Sequence, residues 1–102
     1  MYNTYILLMH DRFFKDQDKP IYRLSKINME KITHDQIKNF NIIYYAICND
    51  SEYIKENIME IFKEKYIHRK DIGEFYFFGD SQDMIHDIRN EISKSIQDNT
   101  LN

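Results

Sequence analysis

Two segments in the second half of the chain repeat their apolar residues at the spacing of an α-helix. The first segment carries Ile54, Ile58, Ile61, Phe62 and Tyr66 on one face. The second carries Ile85, Ile88, Ile92 and Ile96. Because an apolar stripe of this kind is stable only when another element covers it, the sequence predicts two amphipathic helices packed on a second layer of structure.

Three earlier runs are typical of β-strands. Residues 4–14 open with β-branched, aromatic and aliphatic side chains, and residues 21–27 alternate apolar and polar side chains, so these two runs predict an antiparallel hairpin. Residues 41–49 are apolar on both faces, which predicts the central strand. The predicted fold class is α+β: a small antiparallel sheet of three strands flanked by about three helices.

The remaining segments complete this prediction. A short helix is expected after Asn28, and the two long helices are expected to begin at residue 50 or 51 and at residue 80 or 81, where Asp and Ser are good N-caps. Residues 67–73 predict a polar loop, and residues 74–78 an extended aromatic segment. One domain is expected over residues 1–102, with a core from about residue 4 to 96 and a frayed C-terminal tail.

Composition narrows the class of protein. Cys48 is the only cysteine, so there is no internal disulfide and no four-cysteine zinc site, and its place at the end of an apolar strand predicts a buried side chain. No apolar run approaches the length of a membrane span, so no membrane partner is expected and the cytoplasm is the predicted location. The abundance of Ile, Asn, Lys and Tyr indicates an A/T-rich genome, as in many large DNA viruses and phages.

The net charge of the chain is compatible only with a local contact to nucleic acid. The chain has 14 basic and 17 acidic residues, a net charge of −3, which excludes a uniformly basic binding surface. One stretch nevertheless carries Lys63, Lys65, Arg69 and Lys70 against Glu64 alone. A basic stretch that also contains an aromatic residue suits a phosphate backbone. The alternative is a solvated helix end, where cations complement the helix dipole.

The order of several short motifs carries a resemblance. Residues 3–6 read Asn-Thr-Tyr-Ile, residues 21–26 read Ile-Tyr-Arg-Leu-Ser-Lys, and the basic stretch is followed by Asp-Ile-Gly at 71–73 and by Glu74 and its aromatic neighbours. In this order the chain resembles the GIY-YIG nuclease superfamily, in particular the short branch related to the phage T5 Orf172 domain found in giant and other large DNA viruses. The resemblance covers residues from about 5 to 92.

The resemblance implies a nuclease site with several substitutions. In the family a tyrosine activates or orients water, a helix arginine supports the phosphate and a helix glutamate holds one divalent metal ion. Tyr5 and Tyr22 match the tyrosines and are expected to line the cleft, Lys31 stands at the arginine position and Lys55 at the position of the glutamate. A lysine cannot ligate Mg²⁺. The carboxylates that could replace the glutamate are Glu52, Glu56 and Glu74.

Three hypotheses follow. The first is a degenerate GIY-YIG-like domain, viral or phage in origin, that binds DNA through its cations without cutting it and needs no cofactor. These cations are Arg23, Lys26, Lys55, Lys63, Lys65, Arg69 and Lys70. The second is an active endonuclease that depends on Mg²⁺ or Mn²⁺. The third is a viral or phage factor that binds a host or replication protein, for which the aromatic residues 75–78 and the net negative charge are suited, with homodimerisation through an aromatic edge strand as a variant.

Overall fold

The computed structural model describes residues 4–28, 40–48 and 51–100. Its strands are β1 (Thr4–Asp11), β2 (Ile21–Asn28), β3 (Phe40–Ile47), β4 (Ile67–His68) and β5 (Tyr76–Phe78). Its helices are α1 (Arg12–Asp16), α2 (Ser51–Lys65) and α3 (Ser81–Thr100). The fold is α+β, as the sequence predicts.

All strand pairs are antiparallel, and the described strands form one sheet in the order β3-β1-β2-β5-β4. The sheet therefore has five strands rather than the three that the sequence predicts. Strand β4 lies in residues 67–73, which were expected to form a loop, because its two residues gain their hydrogen bonds only from β5, nine residues further on. A two-residue strand leaves too short a pattern to be recognised in a sequence.

The prediction that residues 41–49 form the central strand is wrong. Strand β3 is at an edge of the sheet that the described strands form, and Tyr45 and Ile47 on it are 63% and 52% exposed. Strand β1 lies between β3 and β2 and is buried on both faces, since Ile6 and Leu8 point to one side and Leu7 and Met9 to the other. An apolar run thus indicated a strand correctly but not its position in the sheet.

One face of the sheet carries the main core. Ile6, Leu8 and Leu24 on this face pack with Ile58 and Phe62 of α2, and all five are fully buried. The remaining members of this core are Cys48, Ile54, Met59, Phe77, Met84, Ile88 and Ile92. We call this the helix face, and the opposite side the open face. The predicted apolar stripes of both helices are confirmed through Ile54, Ile58, Phe62, Ile88 and Ile92, and the predicted burial of Cys48 is confirmed.

The first strand is shorter than the sequence predicts. Residues 12–14, expected in that strand, belong to α1, and α3 extends to Thr100. The short helix expected after Asn28 lies outside the described residues. In the turn that follows α1, Asp18 adopts a left-handed φ of 55°, which aspartate tolerates better than most residues and which turns the chain back into β2.

None of the helices in the described part of the chain is long and apolar enough to cross a membrane.

Candidate functional site

A groove of about 440 Å³ lies between α2 and the segment that leads into β5. Charged side chains dominate its walls, and these are Glu52, Glu56, Glu60, Glu74, Lys55 and Lys63. The first three glutamates are spaced four residues apart, so they follow one face of the helix. The groove therefore brings together the three carboxylates that the sequence analysis named as metal candidates and the lysine that replaces the expected metal-binding glutamate.

Lys55 occupies this groove in a constrained position. Its Nζ lies 3.7 Å from the centroid of the Phe75 ring, close enough for a cation–π contact. Burial lowers the pKa of Lys55, and repulsion from Lys26 and Arg23 lowers it further, whereas Glu74 opposes the shift. Two cations of β2 are thus close enough to Lys55 to repel its ammonium.

Lys26 connects β2 to the start of α2. It lies opposite Ile6 in the register of the hairpin, so it points to the helix face, where its ammonium forms an ion pair with Glu52. Glu52 is in the first turn of α2, a position that also favours an anion. This ion pair places the Lys26 ammonium beside the groove, and it occupies the Glu52 carboxylate.

The groove does not fit a divalent metal ion. Among the described residues, no group of three or more His, Cys, Asp or Glu side chains is arranged to hold one. Glu52 is paired with Lys26, and Lys55, which lines the same groove as the other carboxylates, would repel a second cation. Of the charged groups that line the groove, Lys55 and Lys63 are the two that attract an anion, and the four glutamates oppose one.

Tyr5 and Tyr22 lie on opposite faces of the sheet. Tyr5 pairs with Ile27 in the hairpin, and Ile27 is five positions from Tyr22 on the same strand, so the two tyrosines point in opposite directions. Tyr22 is on the helix face, where its ring lies 4.6 Å from that of His10. Tyr5 is on the open face, 5.9 Å from the ring of Tyr45. The two tyrosines therefore do not line one cleft, and Lys31 lies outside the described residues.

Most of the basic stretch is neutralised within the protein. Lys63 lies 3.8 Å from Glu60, and Lys65 donates to both carboxylate oxygens of Asp87 at 2.8 and 3.0 Å. Arg69 donates to Asp71 through Nε at 2.9 Å and through a terminal nitrogen at 2.7 Å. Lys70 is exposed. Arg23 lies apart from this stretch, on the open face, with its guanidinium 5.9 Å from the Tyr76 ring.

A second polar cluster on the open face was not found from the sequence. The Tyr76 hydroxyl donates to Asp11 Oδ2 at 2.7 Å, and burial followed by this hydrogen bond raises the pKa of Tyr76 to about 12. The other oxygen, Asp11 Oδ1, is buried without a hydrogen-bond partner. The two residues are 65 positions apart, so no local pattern connects them. Phe75 was noticed only as part of an aromatic segment, and nothing in the sequence marked it as the ring beneath Lys55.

The open face also exposes an aromatic surface beside this cluster. Phe13 contacts Phe14 at 5.3 Å between ring centroids, and Phe14 contacts Tyr76 at 6.3 Å. Phe78, two residues after Tyr76 on the same side of β5, pairs with Ile67 of β4. Phe13 is 66% exposed, Ile67 61% and Phe78 38%. We call these five residues the aromatic patch.

Comparison with known proteins gives no further assignment: no family model, no curated protein and no solved structure matches this chain.

Proposed function

We propose that this domain binds the phosphate backbone of DNA without cleaving it, as a degenerate GIY-YIG-like module. The observation that carries the proposal is the position of Lys55 in the groove, with its Nζ 3.7 Å from the Phe75 ring centroid and with Lys26 close enough to repel it. Like charges that the fold holds near one another are stabilised when an anion binds between them. A phosphodiester is the anion that the resemblance leads us to expect.

The same lysine argues against cleavage. A metal-dependent nuclease needs a carboxylate-bound cation to stabilise the charge that develops on the scissile phosphate. Here Lys55 lines the same groove as Glu56, Glu60 and Glu74, and the tyrosines that the resemblance assigned to the chemistry are on different faces of the sheet. A lysine can hold a phosphate as a point charge, but it cannot supply a metal-activated water.

The expected affinity is modest. Lys26, Lys63, Lys65 and Arg69 are engaged with carboxylates, and Arg23 lies on the open face. We therefore expect about two phosphate contacts, from Lys55 and Lys70, rather than seven. Two contacts predict a slope of log affinity against log salt of about −1.8, so raising the salt fourfold weakens binding about 12-fold.

Fluorescence anisotropy with a labelled duplex tests the proposal. Lys55→Gln should weaken binding and reduce the salt slope by about 1. Lys15→Gln is the matched control, because it removes an equal charge from α1, at the far end of β1. No binding of the unaltered protein at low salt would overturn the proposal, and so would equal losses for the two variants.

A plasmid assay with Mg²⁺ and Mn²⁺ separates binding from catalysis. We expect supercoiled DNA to remain intact. Metal-dependent nicking that disappears in Glu52→Gln, Glu56→Gln or Glu74→Gln would replace this proposal with an active endonuclease, in which one of these carboxylates has taken over the metal.

A protein partner is a second candidate, favoured by the aromatic patch. Exposed aromatic clusters are more typical of protein interfaces than of isolated surfaces. The partner would be a host or viral replication protein. If so, a single protein should copurify in stoichiometric amount, and Phe13→Ser should abolish this while Tyr53→Ser, an equally exposed aromatic on α2, should not.

A further inference from the structure

Strand β3 presents an unusually unprotected edge. It is eight residues long, and in the described parts of the chain it pairs only with β1. Its residues are Phe-Asn-Ile-Ile-Tyr-Tyr-Ala-Ile, with no charged side chain and no proline. Natural edge strands are usually short or carry lysine, proline or a bulge, which prevents other strands from pairing with them.

One of these protective devices is present, but it covers only half of the strand. The register between β1 and β3 shifts at Leu8 and Met9, which leaves Ile43 as an extra residue in β3. Beyond this bulge, residues 44–47 pair regularly with residues 5–8. The unprotected part of the edge is therefore the half that carries Tyr45 and Ile47.

Large side chains on this half of β3 are exposed to solvent. Tyr45 is 63% exposed and Ile47 52% exposed, and both point to the open face together with Tyr5. Two large apolar side chains adjacent on an edge strand form a surface that another strand can cover. This surface is distinct from the aromatic patch, because the patch belongs to α1, β4 and β5.

We propose that a second copy of this chain covers this edge, with the two β3 strands paired antiparallel about a two-fold axis. The charges favour this occupant. An edge with no charge gives a charged partner nothing to recognise, whereas two identical neutral edges meet without like-charge repulsion along the strands. Antiparallel pairing also places the Tyr45 and Ile47 side chains of both copies on one continuous open face.

The opposite edge does not offer the same contact. Strand β4 has two residues, and Arg69 and Lys70 follow it directly. Pairing β3 of one copy with β4 of another would therefore satisfy few hydrogen bonds, and it would build an open chain of molecules rather than a closed dimer. The two-fold arrangement uses the neutral residues 44–47 of both copies.

The area available predicts a weak dimer. The four residues 44–47 span about 14 Å, and a strip of that length along the edge buries on the order of 300 Å² in total over the two copies. Stable interfaces bury about 1,200 Å² or more. The dimer should therefore form only at high protein concentration.

Sedimentation velocity over a concentration series tests the inference in the absence of DNA. We expect the weight-average mass to rise from 12.6 kDa towards twice that value. Tyr45→Lys and Ile47→Lys should each raise the dissociation constant at least about tenfold, since a lysine on an edge strand opposes pairing. Tyr53→Lys and Ile67→Lys are matched controls of the same residue types, 60% and 61% exposed on other elements.

Hydrogen exchange identifies the surface directly. The amides of Tyr45 and Ile47 point away from β1, because that of Cys48 donates to Thr4 of β1 and alternate amides of a strand face opposite neighbours. Protection of these two amides should increase with protein concentration in the unaltered chain, and protection of the Ile47 amide should not increase in Tyr45→Lys. A mass that stays at 12.6 kDa at every concentration would overturn the inference, as would a dimer that Ile67→Lys disrupts and Tyr45→Lys leaves intact. Because this assay needs no nucleic acid, its failure is distinguishable from failure of the proposed DNA binding.

Discussion

The Tyr66 hydroxyl donates a 2.6 Å hydrogen bond to Asp87, whose side chain is buried between the end of α2 and the first half of α3. Lys65, the neighbour of Tyr66, donates to both oxygens of the same carboxylate. Asp87 is the one buried charged residue among those described, and it satisfies three donor contacts at once. The two long helices are therefore joined by a polar contact as well as by their apolar stripes.

Removing this carboxylate should destabilise the fold. In Asp87→Ala the Tyr66 hydroxyl and the Lys65 ammonium lose their acceptor, and we expect a loss of about 2–4 kcal/mol in the free energy of unfolding. Asp71→Ala is the control: it breaks the exposed ion pair with Arg69 and should change stability little. Urea denaturation at neutral pH measures both. Equal losses for the two variants would contradict the buried role of Asp87.

High pH should unfold the protein through its tyrosines. Burial, followed by the hydrogen bond to Asp87, raises the pKa of Tyr66 well above its usual value, and burial with the Asp11 contact raises that of Tyr76 to about 12. A raised pKa in the folded state gives stability that is complete below the unfolded value of about 10 and is lost as pH rises through the folded value.

Two signals recorded together check this expectation. Tyrosinate absorbance should show a late step that coincides with the loss of circular dichroism above pH of about 10. In Tyr76→Phe the contribution from the group that titrates near pH 12 should be absent from the stability profile. If all tyrosines ionised together while the fold persisted, the two buried hydrogen bonds would not be contributing as described.

Local pattern predicted most of the fold but not its sheet order. The stripes containing Ile58 and Ile88 specify helices because their spacing is a property of one element. Whether an apolar strand lies in the middle or at an edge depends on which strands pair with it, and the sequence of β3 contains no information on that. Strand β4 could not be predicted from the sequence for the same reason, because only its pairing with Phe77 and Phe78 makes it a strand.

The candidate site, like the fold, could be predicted only in part. The sequence analysis named Lys55 and the carboxylates Glu52, Glu56 and Glu74 as candidates for one site, and all four line one groove. The sequence could not show that Lys65 is paired with Asp87, because that partner is 22 residues away on another helix. The prediction that Tyr5 and Tyr22 line one cleft could not be checked without the register of the hairpin. That register places the two side chains on opposite faces of the sheet.

Gly79 should tolerate no side chain. A Cβ at this position would lie 2.6 Å from Tyr66 Cδ1 and 3.3 Å from Met84 Cε. The Tyr66 ring cannot move away easily, because Asp87 holds its hydroxyl and Phe62 packs against its edge. We expect Gly79→Ala to cost about 1–3 kcal/mol of stability.

A double-mutant cycle tests this cause. The additional cost of Gly79→Ala should be much smaller when Tyr66→Ala has already removed the ring, because nothing then occupies the space that the methyl group needs. Thermal unfolding of the four proteins gives the coupling. Additive costs would show that the clash with Tyr66 is not the reason.

The charge of Lys55 should favour DNA binding and lower the free energy of unfolding. Its pKa is lowered because burial and the nearby Lys26 and Arg23 disfavour the charged form in the folded protein. The penalty is present below the folded pKa, and stability from this group rises with pH between that value and 10.5. Lys55→Met keeps an unbranched apolar chain against Phe75 and removes the charge. We therefore expect it to stabilise the fold at neutral pH, by less than about 1 kcal/mol because the site is partly exposed.

The same variant should lose affinity for DNA, so that stability and binding change in opposite directions. Such opposition is typical of a residue kept for function rather than for folding. Urea denaturation and duplex anisotropy on one preparation measure both quantities, with Lys15→Met as the control that should alter neither appreciably. A less stable Lys55→Met protein would mean that attraction to Glu74 and the contact with Phe75 outweigh the cost of burying the charge, and Lys55 would then be a structural residue of the groove.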